Sequence, residues 1–137
     1  MPELKTYRVF ISHAWDYGGE YERLCNLLDN APLFTWVNYS VPEDSPIHNA
    51  KTKKAIKDGL TNHIKPSQIE IVLGGMYGAY SDWMQTEMDI AVGFNKPILG
   101  IVPYGGERVP TAVQDAADEM VNWSTASIVS AIRSLAL

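Results

Sequence analysis

A chain of 137 residues with 46 % hydrophobic and 20 % charged residues is long enough for one hydrophobic core and too apolar to remain disordered. The formal net charge is −5 and the densest basic run is KTKK at 51–54, which argues against nucleic-acid binding through a basic face. The opening MPELKTYRVF carries no apolar signal segment, and no run approaches the roughly 18 apolar residues of a membrane span. The expectation is therefore a single domain over 1–137, cytoplasmic, without membrane contact.

Taken in order, Tyr7 to Ser12 reads as a strand with the short apolar run Val9-Phe10-Ile11, as in a strand covered on both faces. It opens into Ser12-His13-Ala14-Trp15-Asp16-Tyr17, a polar and aromatic cluster suited either to a site-forming loop or to an ordinary strand-to-helix turn. Glu20 to Asn30 follows as a helix, with Tyr21, Leu24, Cys25 and Leu28 at helical spacing. Cys25, the one cysteine, excludes an internal disulfide and reads as small core filler.

Pro32 breaks this helix, and Leu33 to Tyr39 is the second strand. The polar stretch SVPEDSPIHNAK comes next, a loop long enough to carry function. With two prolines, two acids and no apolar periodicity, residues 38–48 are expected to be mobile and to cover the site. Asn49 to His63 is a helix with a weak apolar face of Ala55, Ile56, Leu60 and Ile64. Gln68 to Leu73 is the third strand and leads into GGMYG, which is not a GxGxxG fingerprint; no GxxxxGK[ST] phosphate loop occurs either.

Residues 81–103, SDWMQTEMDIAVGFNKPILGIVP, organise the rest: a helix, a turn and a buried strand. Ser81 is a good N-cap, Met84, Met88 and Ala91 form a core-facing stripe, and the Gly93–Asn95 region followed by Pro97 ends the helix. A second stripe holds Trp83, Glu87, Ile90 and Phe94. The ordinary reading of Glu87 is a solvated residue at the edge of the core. Two features favour a functional one: it lies one turn after Trp83, and it follows the carboxyl end of a strand, where open α/β sheets bind ligands. A turn-rich segment, a short helix in VPTAVQDAADEM, a fifth strand at Glu119–Trp123 and a last helix capped by Ser124 complete the chain. Ile128, Ala131, Ile132 and Leu135 of that last helix face the core. The strict alternation of strand and helix predicts an α/β fold with a five-stranded parallel sheet and helices on both faces.

The segments VFISHAWDY at 9–17, NYSVPEDSPI at 38–47, GGMYGAYSDWMQTEMDIA at 74–91, KPILGIVPYG at 96–105 and VNWSTASIVSAIR at 121–133 resemble the TIR-like domain family of the bacterial Thoeris anti-phage defence system. The resemblance covers nearly the whole chain. It implies a flavodoxin-like three-layer sandwich with strand order 2-1-3-4-5. It also implies an NAD glycohydrolase or ADP-ribosyl cyclase that breaks the nicotinamide–ribose bond and makes a cyclic ADP-ribose-type signal for a separate effector protein. NAD or a related nucleotide would be the substrate, with no cofactor and no metal. Self-association would accompany activation.

Asp82-Trp83-Met84-Gln85-Thr86-Glu87 matches the family pattern in which the catalytic glutamate follows an aromatic residue by four positions, which makes Glu87 the catalytic candidate. Ser12, His13, Trp15 and Asp16 match the loop after the first strand. Tyr39 and Ser40 open the segment in the place of the gating loop, whose sequence departs from that of ordinary TIR domains, and Ser81 and Trp83 precede the glutamate. These eight are the candidate substrate-binding residues.

The chemistry is self-consistent. Nicotinamide leaves with its positive charge cancelled, so no proton donor to the leaving group is needed. The ribosyl centre becomes oxocarbenium-like, and one carboxylate can stabilise it while holding a ribose hydroxyl. His13, His48 and His63 have no metal-ligand spacing.

The rival reading is a non-catalytic TIR-like adaptor. A phospho-receiver fails because the third strand ends in Gly74-Gly75 rather than an acceptor aspartate, and SHAWDYGG makes a poor flavin-phosphate loop.

Overall fold

A computed structural model describes residues 5–12, 20–40, 52–73, 82–102 and 111–136. Its elements alternate along the chain: β1 (Thr6–Ser12), α1 (Glu20–Asn30), β2 (Thr35–Asn38), α2 (Lys53–Ile64), β3 (Ile69–Leu73), α3 (Asp82–Gly93), β4 (Ile98–Ile101), α4 (Thr111–Ala116), β5 (Glu119–Val121) and α5 (Thr125–Leu135). The strands pair in parallel in the order β2-β1-β3-β4-β5. This is the doubly wound order that the family resemblance implies, and it places the topological switch between β1 and β3.

Register decides which face each strand residue serves. Phe10 stands beside Glu70, and Ser12 beside Val72; Glu70 in turn stands beside Ile98, and Val72 beside Gly100. Because side chains alternate, Phe10, Ser12, Glu70, Val72 and Ile98 share the sheet face under α3. Tyr7, Val9, Ile11, Ile69, Ile71 and Leu99 share the opposite face, and all are buried. On that side Leu24 and Leu28 of α1 and Ile128, Ala131 and Ile132 of α5 complete the core. The Tyr7 and Phe34 rings stack there at 5.3 Å, and the Arg133 guanidinium lies 5.8 Å from the Phe34 centroid.

The helix ends follow local chemistry. The α2 helix starts at Lys53 rather than Asn49, because Thr52 has extended backbone and its hydroxyl accepts from the Ala55 amide at 3.1 Å. Leu60 and Ile64 are its buried residues, and Ala55, expected on the apolar face, is exposed. The α3 helix ends where Asn95 adopts a left-handed conformation (φ 57°), and the Lys96 amide returns to the Ala91 carbonyl at 2.8 Å.

Three strands are shorter than expected, the third beginning at Ile69 rather than Gln68. Leu33 is left-handed (φ 56°), so the second strand begins at Thr35, not Leu33, and ends at Asn38 rather than Tyr39. The fifth spans Glu119–Val121 rather than running to Trp123. Asn122 and Ser124 instead close a turn that caps α5, with the Ser124 hydroxyl accepting from the Ser127 amide at 3.1 Å. Replacing that cap, Ser124→Ala, is expected to cost about 1 kcal/mol in chemical denaturation.

Candidate active site

The polar centre of the molecule lies where the sheet order reverses. Ser12 is the last residue of β1 and Glu87 lies in the second turn of α3, 75 positions apart in sequence. The Ser12 hydroxyl donates to Glu87 Oε1 at 2.9 Å. Both residues are buried, Ser12 fully and Glu87 with 2 % of its surface exposed. This corrects the edge-of-core reading of Glu87. The helix turns Glu87 and Met88 toward the sheet together with Ala91, and the hydroxyl at the end of β1 gives the carboxylate a hydrogen bond there.

Ser40 sits at the same end of the sheet. Its hydroxyl accepts from the Ile11 amide at 3.0 Å, and its own amide donates to Asn38 Oδ1 at 2.9 Å. Ser40 thus continues the sheet edge beside Ser12 as a backbone-satisfying group. Tyr39 is half-buried; its amide donates to the Val9 carbonyl at 2.8 Å, and its carbonyl accepts from His63 Nδ1 at 3.0 Å. His63 is therefore occupied by the backbone. His13, Trp15, Asp16 and Ser81 lie outside the described residues, as does most of the 38–48 segment expected to cover the site. Trp83 falls within α3, but its side chain lies outside the described set. Of the candidates, the structure brings Ser12 to Glu87 and places Ser40 one residue away along β1.

A second buried carboxyl shares this layer and escaped the sequence analysis. Glu70, the second residue of β3, is fully buried, and neither of its oxygens has a hydrogen-bond partner among the described residues. Burial, and after it the charges of Glu87 and Asp89, push its carboxyl well above the ordinary carboxylate range. The run IEIVL becomes informative only with the sheet order: β3 is central, so an acid at its second position has no solvent side to face.

Beyond this layer, a cavity of about 780 Å³ lies between α2 and α3. Lys53, Ile56, Lys57, Thr86, Asp89, Ile90 and Phe94 are among its lining residues, and Glu87 is not. The cavity and the Ser12–Glu87 pair thus lie on different sides of the same helix. Cys25 is half-buried, and burial pushes its thiol up, away from reactivity. Among the described residues no group of three or more His, Cys, Asp or Glu side chains could hold a metal ion, and no helix is long and apolar enough to cross a membrane.

A parallel 2-1-3-4-5 sheet with a buried hydroxyl–carboxylate pair at its switch point defines a flavodoxin-like α/β protein with a candidate site at the carboxyl ends of β1 and β3. The family model described as Thoeris protein ThsB, TIR-like domain, matches residues 10–108, most of the chain and all of this site. The chain belongs to that family, and membership assigns it to anti-phage defence. A comparison with curated proteins returned no match.

Proposed function

We propose that the chain is a TIR-like signalling enzyme that cleaves NAD at the nicotinamide–ribose bond and releases a cyclic ADP-ribose-type messenger that activates a separate effector. The observation that carries this reading is the buried Ser12–Glu87 hydrogen bond at the switch point of the sheet. A carboxylate withdrawn from water and held by the Ser12 hydroxyl is preorganised to face a developing positive charge.

With 2 % of its surface exposed, Glu87 meets a ribose only after the surface around it parts. Activity is then expected to depend on a trigger or on assembly. The substrate-binding roles of Ser12, His13, Trp15, Asp16, Tyr39, Ser40, Ser81 and Trp83 belong to the same proposal. The test is incubation of the purified protein with NAD, alone and with extract of phage-infected cells, followed by detection of nicotinamide and of effector activation by the filtered product. Nicotinamide absent from both would refute cleavage.

One observation favours the adaptor reading: Val92 and Phe94, at the end of α3, are 56 % and 41 % exposed. An adaptor working through that surface would lose defence on Phe94→Glu and keep it on Glu87→Gln. The enzyme reading predicts that Glu87→Gln is the variant that loses it.

A further inference from the structure

Glu70 has no evident structural use. It sits in the central strand between Phe10 of β1 and Ile98 of β4, fully buried, with neither oxygen hydrogen-bonded among the described residues. Two residues along the same face, the Val72 position stands beside Ser12, which holds Glu87. The two buried glutamates therefore belong to one low-dielectric layer beneath α3, and a hydrogen-bonded one lies near an unbonded one.

The charges acting on Glu70 are few among the described residues. From α3 they are Glu87 and Asp89, both negative. From β1 and β4 the flanking groups are Phe10 and Ile98, and Arg8, two positions earlier on β1, donates through Nε to the Pro66 carbonyl at 2.8 Å. From α2 the buried residues are the apolar Leu60 and Ile64. No cation among these offsets a negative charge on Glu70.

We infer that Glu70 is a titrating positioning residue for Glu87. As a neutral acid it leaves Glu87 as the charge of this layer, and on losing its proton it drives the two carboxylates apart and opens the Ser12–Glu87 contact. The physical basis is that two buried carboxylates close together cannot both ionise without a compensating cation. The raised ionisation of Glu70 agrees with this arrangement.

The sign of the pH effect follows. Glu70 binds its proton more tightly folded than unfolded, so its contribution to stability is complete below the ordinary carboxylate range and is lost as pH rises toward its folded ionisation. Within that window the unfolding constant should grow about tenfold per pH unit from this group alone. The inference about the pair stands without NAD chemistry; its consequence for activity rests on the proposed cleavage.

The test is carboxyl-carbon NMR of the full chain carrying labelled glutamate, across pH, for wild type and Glu70→Gln, with Glu70→Leu used where the first variant does not fold. The expected result is a Glu70 resonance that stays at the neutral-acid position above the ordinary carboxylate range. On further alkalinisation the Glu87 resonance moves with the Glu70 midpoint, and this movement is gone in the variant. A Glu70 resonance that titrates within the ordinary carboxylate range, or a Glu87 movement unchanged in the variant, overturns the inference. Nicotinamide release, followed in parallel, should fall about tenfold per pH unit above the same midpoint in wild type and stay level in Glu70→Gln. Absence of nicotinamide from wild type at every pH counts against NAD cleavage, and the NMR titration then decides the pair by itself.

Discussion

Glu87→Gln is expected to reduce nicotinamide release by on the order of a hundredfold or more while the protein remains folded. The amide keeps the size of the side chain and an oxygen that can accept from Ser12, so the 2.9 Å contact at the end of β1 can persist. What disappears is the negative charge, the property required to face an oxocarbenium-like ribosyl centre. Because Glu87 is buried beside another acid, its charge is costly to the fold, and Glu70 is one of the groups that feels it. Glutamine puts no charge into this layer and keeps the contact with Ser12, so the melting temperature should hold or rise. A thermal melt beside the activity assay separates the roles: activity lost with an unchanged melt marks a functional charge, and activity lost with a collapsed melt marks a structural one.

Glu70→Leu is expected to stabilise the protein, the reverse of most core substitutions. Leucine is close to glutamate in size and replaces a buried carboxyl with two unbonded oxygens by a group that suits its neighbours Phe10 and Ile98. Removing a buried polar group that lacks a hydrogen-bond partner relieves about 1–3 kcal/mol of desolvation cost. For a domain of this size each kcal/mol raises the melting temperature by about 3 °C. The gain should grow with pH by about 1.4 kcal/mol per unit, because above the ordinary carboxylate range wild type must hold a proton that its unfolded chain has released. Urea denaturation at acid and at alkaline pH checks this. Equal gains at both would mean that Glu70 holds no proton of its own.

Most of the architecture was legible because it depends on local periodicity. The α1 helix spans Glu20–Asn30 as read, since Tyr21, Leu24, Cys25 and Leu28 mark one face and Pro32 bars continuation. The end of α3 was legible in Asn95 and Pro97, which supply the left-handed turn and the stop. The start of β2 was not, because an ordinary Leu33 gives no sign of a left-handed backbone; its carbonyl is held by Arg133, 100 positions away.

The candidate site was legible only in part for the same reason. Glu87 stood out by its spacing from Trp83, but its burial depends on a hydroxyl from the far end of the chain. Glu70 looked like the polar member of an alternating strand. Only the sheet order, which puts β3 between β1 and β4 with α3 above, makes that position interior.

The central claim is that NAD is cut against Glu87 at the Ser12 end of β1. The most direct measurement is a structure of the Glu87→Gln variant, slow enough to hold its substrate, crystallised with NAD. The account predicts the nicotinamide-bearing ribose within hydrogen-bond distance of the side chain at position 87, with Ser12 beside it. NAD lodged instead in the cavity between Lys53, Lys57 and Phe94, with its nicotinamide ribose remote from position 87, would contradict it.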